Sequence, residues 1–114
     1  MQLLVLILKR TEIFNELMHR LANNGITGAT ILDGTGMAEK IANMEDVPMF
    51  GMLRSILAGD EKENCKVMLF AETEEQLETT KTVIKEVIGD ITAPNTGIMF
   101  ALPITYVEGL GPKK

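Results

Sequence analysis

Cysteine and histidine are almost missing from this chain of 114 residues, where Cys65 stands alone and so does His19. A single cysteine leaves no intrachain disulfide, no CxxC redox pair and no thiolate zinc site, which fits a reducing interior. A single histidine excludes a His-His metal pair within one chain. His19 lies in an expected helix beside Arg20, with no Ser or Cys neighbour in sequence, so it reads as a solvent-facing side chain rather than a member of an acyl-transfer triad. Basic residues are scarce as well: 11 Lys and Arg stand against 16 Asp and Glu, for a formal net charge of -5, and aromatics make up only 4%. Without a basic stripe to displace counterions from phosphates, nucleic acid is not an expected partner. The apolar run over 3–8 is too short to span a bilayer and lacks the flanks of a signal peptide, so a cytoplasmic protein with no membrane insertion is expected. No Walker lysine motif, no full GxGxxG and no isolated carboxylate pair is present, so the chain reads as a binder rather than an enzyme.

What remains is 46% apolar, with 10 Gly and 4 Pro, enough for one core and one domain over 1–114. Residues 3–8 are apolar at every position, the pattern of a strand covered on both faces. Thr11 is expected to cap a helix to about Asn24, with Ile13, Phe14, Leu17, Met18 and Leu21 at helical spacing. Glu16 can meet Arg20 one turn on, and Gly25 closes the helix. A second strand over 27–32 ends at the turn-forming cluster Asp33-Gly34-Thr35-Gly36. Residues 65–71 give a third strand. Thr73 and Gln76 form a capping-box pattern that opens a helix with Leu77, Thr80, Ile84, Val87 and Ile88 on one face, closed by Gly89. A fourth strand over 98–102 stops at Pro103, and 107–114 reads as a flexible tail.

The order βαββαβ in one small domain predicts an α+β, ferredoxin-like split βαβ arrangement: an antiparallel sheet with both helices on one face. Strands one, three and four are apolar toward both faces, yet two helices can cover only one. The other face would put a large apolar patch in water, so self-association through it into a closed symmetric oligomer is expected.

Between strands two and three, the excursion over 36–64 exceeds what a hairpin needs. It holds Met37, Met44, Met49 and Met52, half of the chain's eight methionines, together with Phe50, Leu53, Ile56 and Leu57. These side chains either pack on the domain's own core as one or two short helices or form a surface that repacks against a partner. Arg54, beside the apolar face of Phe50, Leu53 and Leu57, is either an anion ligand or an ordinary surface arginine. Two Gly-rich segments, Asp33-Gly34-Thr35-Gly36 and Asn95-Thr96-Gly97, are either plain tight turns or nests of backbone N-H groups for an anion.

Several segments together resemble the PII signal-transduction family, the nitrogen regulatory proteins, and its PII-like relatives. They are the opening apolar strand followed by Lys9, the stretch Gly25-Ile26-Thr27-Gly28-Ala29-Thr30-Ile31, the Gly34-Thr35-Gly36 turn, and the closing Gly97-Ile98-Met99-Phe100-Ala101-Leu102-Pro103-Ile104. The resemblance covers nearly the whole chain and implies a homotrimeric sensor with a nucleotide between neighbouring subunits. Base and ribose would meet Gly28, Ala29 and Thr30. Phosphates would meet Thr35, Gly36 and Met37 at the loop base, and Asn95, Thr96 and Gly97 at the turn. The 36–64 excursion would be the family's T-loop, with Met49, Phe50, Met52, Leu53 and Arg54 facing a target protein such as a membrane transporter or an enzyme. Family members that bind ATP place a Lys after the last glycine of the phosphate turn, where this chain has Ile98. ADP, AMP or cyclic di-AMP is therefore easier to accommodate than ATP. The cyclic di-AMP receptors are a PII-like branch with a similar Ala-Thr-x-Leu-x-x-Thr-Gly pattern. The family's modified loop tyrosine is missing, since the only tyrosine is Tyr106. Two other readings are a ligand-free structural or interaction protein on the same trimeric fold and a small enzyme such as an acylphosphatase. The enzyme would need a Gly-rich, Arg-ended phosphate loop after the first strand, and none is present.

Overall fold

The computed structural model describes residues 1–42 and 64–110. Strand β1 (Gln2–Leu8) leads through a 3-10 turn (Thr11–Ile13) into helix α1 (Phe14–Asn23). Then come β2 (Ala29–Thr35), a short helix α2 (Met37–Ala42), β3 (Asn64–Glu72), helix α3 (Glu74–Ile88) and β4 (Gly97–Pro103). The four strands form one antiparallel sheet in the order β2-β3-β1-β4. Each βαβ unit is therefore split by a strand of the other, and the ferredoxin-like expectation holds.

Continuous apolarity in β1 follows from its place at the centre, flanked on both sides. Leu4, Leu6 and Leu8 join Met68 and Phe70 of β3, Leu17 and Leu21 of α1, and Leu77, Val83, Ile84 and Ile88 of α3 in a single buried cluster. Side chains alternate along a strand, and residues directly opposite in a ladder share a face. Leu3, Val5 and Ile7 thus turn away from the helices. So do their partners Ala71, Leu69 and Val67 on β3 and Leu102, Phe100 and Ile98 on β4. Farther out, Thr30, Leu32 and Gly34 lie across from Leu69, Val67 and Cys65. This face is apolar almost throughout. Neither α1 nor α3 covers it, and Leu32, Ile98, Phe100 and Leu102 remain 50%, 57%, 43% and 48% exposed.

Local signals in the sequence succeed where one interaction decides them. The capping box forms in full: Gln76 N-H donates to Thr73 Oγ1 at 3.2 Å, and Thr73 N-H donates to Gln76 Oε1 at 2.9 Å. Gly25 sits at φ +81 after α1, with its N-H on the Ala22 carbonyl at 3.0 Å and the Ile26 N-H on that of Leu21 at 2.9 Å. This is a Schellman closure, and it turns Ile26 back onto the core.

Three local expectations are corrected. Thr11 does not cap α1 with its side chain; it opens the 3-10 turn, and the α-helix starts at Phe14 with no side-chain cap. Arg20 does not pair with Glu16 but reaches Glu86 of α3 at 2.9 Å, which ties the two long helices together. Asp33-Gly34-Thr35 is not a turn, because β2 continues through it opposite Lys66, Cys65 and Asn64. Lys66 Nζ meets Asp33 Oδ1 at 2.6 Å across the strands. A Cβ on Gly34 would come within 2.9 Å of Cys65 Sγ. That glycine therefore serves a close cross-strand approach, not a bend.

Candidate functional site

The residues expected to hold a nucleotide fall at three separate places in one chain. Gly28, Ala29 and Thr30 lie where β2 begins, at the end of the sheet that also holds the start of β1 and the end of β3. Thr35, Gly36 and Met37 lie at the other end of β2, six residues and about 20 Å away at strand rise. Asn95, Thr96 and Gly97 also lie at that second end, but in the turn that leads into β4 and at its first residue. Three strand spacings of about 4.8 Å separate this opposite edge from β2. A single chain does not bring the three groups together. Met49, Phe50, Met52, Leu53 and Arg54 fall outside the described residues.

Around Asn95-Thr96-Gly97 a cleft of about 520 Å³ opens, lined also by Ile7, Lys9, Thr92 and Ile98. Its floor is tightly built. The N-H groups of Lys9 and Arg10 both donate to the Thr96 carbonyl, at 2.9 and 3.2 Å. Thr96 itself is buried, and its hydroxyl donates to the Pro94 carbonyl at 3.3 Å. Gly97 is required by space, since a Cβ there would lie 2.7 Å from the Ile7 carbonyl oxygen. Asn95, at φ 59, turns the chain into this approach. Asp90 accepts from the Thr92 hydroxyl at 2.5 Å and from its N-H at 3.0 Å. Those two bonds, the hydroxyl's first, hold the Asp90 carboxyl below the usual range. Among the described residues Lys9 is the only charged side chain lining this cleft, and it makes no ion pair with any of them. The arrangement can accept a small anion on one ammonium and nearby polar groups. The Thr96 hydroxyl, expected as a ligand, is already engaged inward.

At the opposite end of the sheet a second cleft, about 420 Å³, is lined by the Gly25-Ile26-Thr27-Gly28 link, Met1, Ala71, Glu72, Thr73, Gln76 and Leu110. Its polarity is reversed, because among the described residues the one charged side chain lining it is Glu72. The sequence reading passed over Glu72, since a carboxylate closing an apolar strand just before a helix looks like helix-start preference. In the structure it is 5% exposed, and Oε2 accepts from the Thr80 hydroxyl at 2.5 Å. Oε1 is buried with no hydrogen-bond partner. Burial raises the Glu72 carboxyl above its ordinary 4.5, and the Thr80 hydrogen bond pulls part of the way back. A buried Thr80 on the core face of α3 was the available signal, for its hydroxyl needs an acceptor. Among the described residues no group of three or more His, Cys, Asp or Glu could hold a metal ion. No helix among them is long and apolar enough to cross a membrane.

With the sheet order, the two long helices on one face and the excursion between β2 and β3 in place, comparison with solved structures is informative. The PII protein of Arabidopsis thaliana, in a crystal structure bound to citrate, superposes with a TM-score of 0.60 over 90% of this chain and 77% of that one. The fold is shared with a PII protein. Identity over the match is 19%, so the likeness concerns architecture, and a fold does not transmit a function by itself. No protein-family model matches the chain, and neither does any curated protein sequence.

Proposed function

We propose that this chain is a PII-like regulatory protein, not an enzyme: a cytoplasmic homotrimer that binds an adenine-type nucleotide between subunits and contacts a target protein through its 36–64 excursion. The observation that carries the reading is the uncovered apolar face of the sheet. A monomer would leave this contiguous patch in water, whereas a closed ring of three copies covers it without leaving a free edge. Side-by-side packing of sheets would also bring the β2 edge of one copy to the β4 edge of another, the two edges that carry the expected nucleotide residues. The two clefts differ in charge in the sense a nucleotide requires. Among the described residues the cleft beside Gly28 is lined by no basic side chain and suits a base, while the cleft beside Gly97 carries Lys9 and suits phosphate. With one lysine there and Ile98 beside it, AMP, ADP and cyclic di-AMP are favoured over ATP, whose larger charge needs more cations. Sensing would arise from different ligand contacts in two conformations of the excursion.

Calorimetric titration of the purified protein with ATP, ADP, AMP and cyclic di-AMP tests the ligand. Failure of all four to bind at millimolar concentration sinks the sensor reading. A second reading, a ligand-free interaction protein on the same trimeric fold, is favoured by the inward Thr96 hydroxyl and by the strand conformation of Asp33-Gly34-Thr35. It predicts a trimer that binds none of the four.

A further inference from the structure

Beyond β4 the chain makes one more backbone tie and then none. The Ile104 N-H donates to the Met1 carbonyl at 3.1 Å, and among the described residues no backbone hydrogen bond holds 105–110 to the rest of the molecule. A segment so loosely held is expected to project into water, and Tyr106 and Val107 do, at 75% and 41% exposure. It nevertheless comes back. Gly109, at φ +97, takes a backbone conformation that a side chain would oppose. The next residue, Leu110, lines the cleft beside Gly28 together with Met1, Ile26 and Ala71. Leu110 is also 55% exposed, so its contact with the cleft is partial and the rest of its surface is open to whatever enters. A Cβ at Gly28 would meet nothing within 4 Å, so room is left beside the link as well. An apolar side chain set against an apolar cleft, on a segment tied down at one point, describes a closure that is half made.

We propose that 105–110 is a strap hinged at Ile104 and bent at Gly109, and that it closes Leu110 onto the flat face of a purine base bound in the cleft beside Gly28. The inference rests on the nucleotide reading above and adds to it the segment that covers the base. The open and closed arrangements differ only in the strap, because Ile104 stays tied to Met1. In the empty cleft Leu110 gives up little on leaving, since about half of it is already in water. With a base in place, the exposed part is buried against the ring, so the ligand favours the closed arrangement through the apolar area it covers.

The test measures AMP binding to the full chain by calorimetry, with chymotryptic cleavage of the Tyr106–Val107 bond, followed by mass spectrometry, as a separate readout of the strap. Leu110→Ala removes most of the surface that covers the base and should weaken AMP binding about fivefold, the share expected for the exposed half of a leucine. Val107→Ala, on the same segment but outside the cleft lining, should bind AMP as the wild type does. Saturating AMP should slow cleavage of the wild type by about the same factor, because the protease cuts the open strap and closure is what the ligand gains from it. Leu110→Ala should lose most of that protection. Both substitutions lie outside the core cluster, so both proteins fold. Unchanged AMP affinity in Leu110→Ala, or AMP binding that leaves cleavage as fast as before, overturns the strap and leaves the nucleotide reading standing. Tighter binding by Leu110→Ala also overturns it, by making Leu110 a plug that the ligand displaces. Absence of AMP binding to the wild type at millimolar concentration removes the nucleotide reading and this inference together.

Discussion

Replacing Phe100 by Glu on the uncovered face of the sheet should dissolve the proposed trimer and leave a folded monomer. Phe100 lies opposite Val5 in the central row of that face and is 43% exposed in the single chain. Covering the exposed half of such a ring contributes about 1 kcal/mol. A carboxylate in the same place removes that term, and when desolvated without a partner it costs at least about 2 kcal/mol more. Three-fold symmetry repeats the penalty in every subunit, so the assembly loses at least about 9 kcal/mol, which is more than six orders of magnitude in the association constant. The monomer loses little, because the core lies on the other side of the sheet. Sedimentation equilibrium should give a particle of three chains of 12.5 kDa for the wild type and of one chain for Phe100→Glu, with unchanged far-ultraviolet circular dichroism. Met18→Glu, on an exposed position of α1, carries the same charge change away from the face and should remain trimeric. A wild-type protein that is monomeric at micromolar concentration, or a Phe100→Glu variant that still assembles, refutes the reasoning.

Three more outcomes follow from the geometry. Thr73→Ala removes one half of the capping box at α3 and should lower unfolding stability by about 1 kcal/mol in urea titration. Gly97→Ala forces a Cβ to within 2.7 Å of the Ile7 carbonyl, so β4 must shift away from β1. A loss of about 1–3 kcal/mol is expected, and an unchanged thermal midpoint would contradict the close approach. Glu72 governs part of the pH response. Its folded value lies above the ordinary 4.5, so the folded state holds the proton more tightly than the unfolded chain. The resulting stabilisation is complete below pH 4.5 and is lost as the pH rises through the folded value. Glu72→Gln should remove that dependence and gain most over the wild type at neutral pH. Equal pH profiles for the two proteins by chemical denaturation would contradict the burial of the carboxylate.

The fold was legible because its signals are redundant. Five or six apolar residues in a row mark β1 and β3 whatever their partners. A capping box and two closing glycines bracket the helices, and the order of elements leaves few topologies. Errors occurred where two explanations share one residue pattern. Asp33-Gly34-Thr35-Gly36 has the composition of a turn, but Gly34 is also what a strand needs when Cys65 presses against it. Spacing allows Glu16 and Arg20 to meet, yet nothing in the spacing says that Glu86 will approach Arg20 from another helix. Thr11 likewise has the right chemistry for a cap. The chain instead opens a 3-10 turn at Thr11, which delays the start of the α-helix to Phe14.

The candidate site was far less legible, for a reason that lies in geometry. A sequence reveals residues of the right type, but the nearness of Gly28 to Glu72 depends on how β2 and β3 align. The separation of Gly28 from Gly97 depends on the whole width and length of the sheet. Glu72 was invisible because its burial depends on packing alone; the next position, Thr73, is exposed. The same sheet that hides Glu72 leaves Phe100 and Leu32 bare on its other side. In the proposed trimer, burial of that bare face would drive assembly, and the nucleotide would lie between subunits. Binding and subunit association should accordingly be linked, with nucleotide tightening the trimer by the same free energy by which the trimer tightens nucleotide binding. Titrating Phe100→Glu with AMP checks this: the monomer should bind at least tenfold more weakly than the wild type, and undiminished binding would place the whole site within one chain.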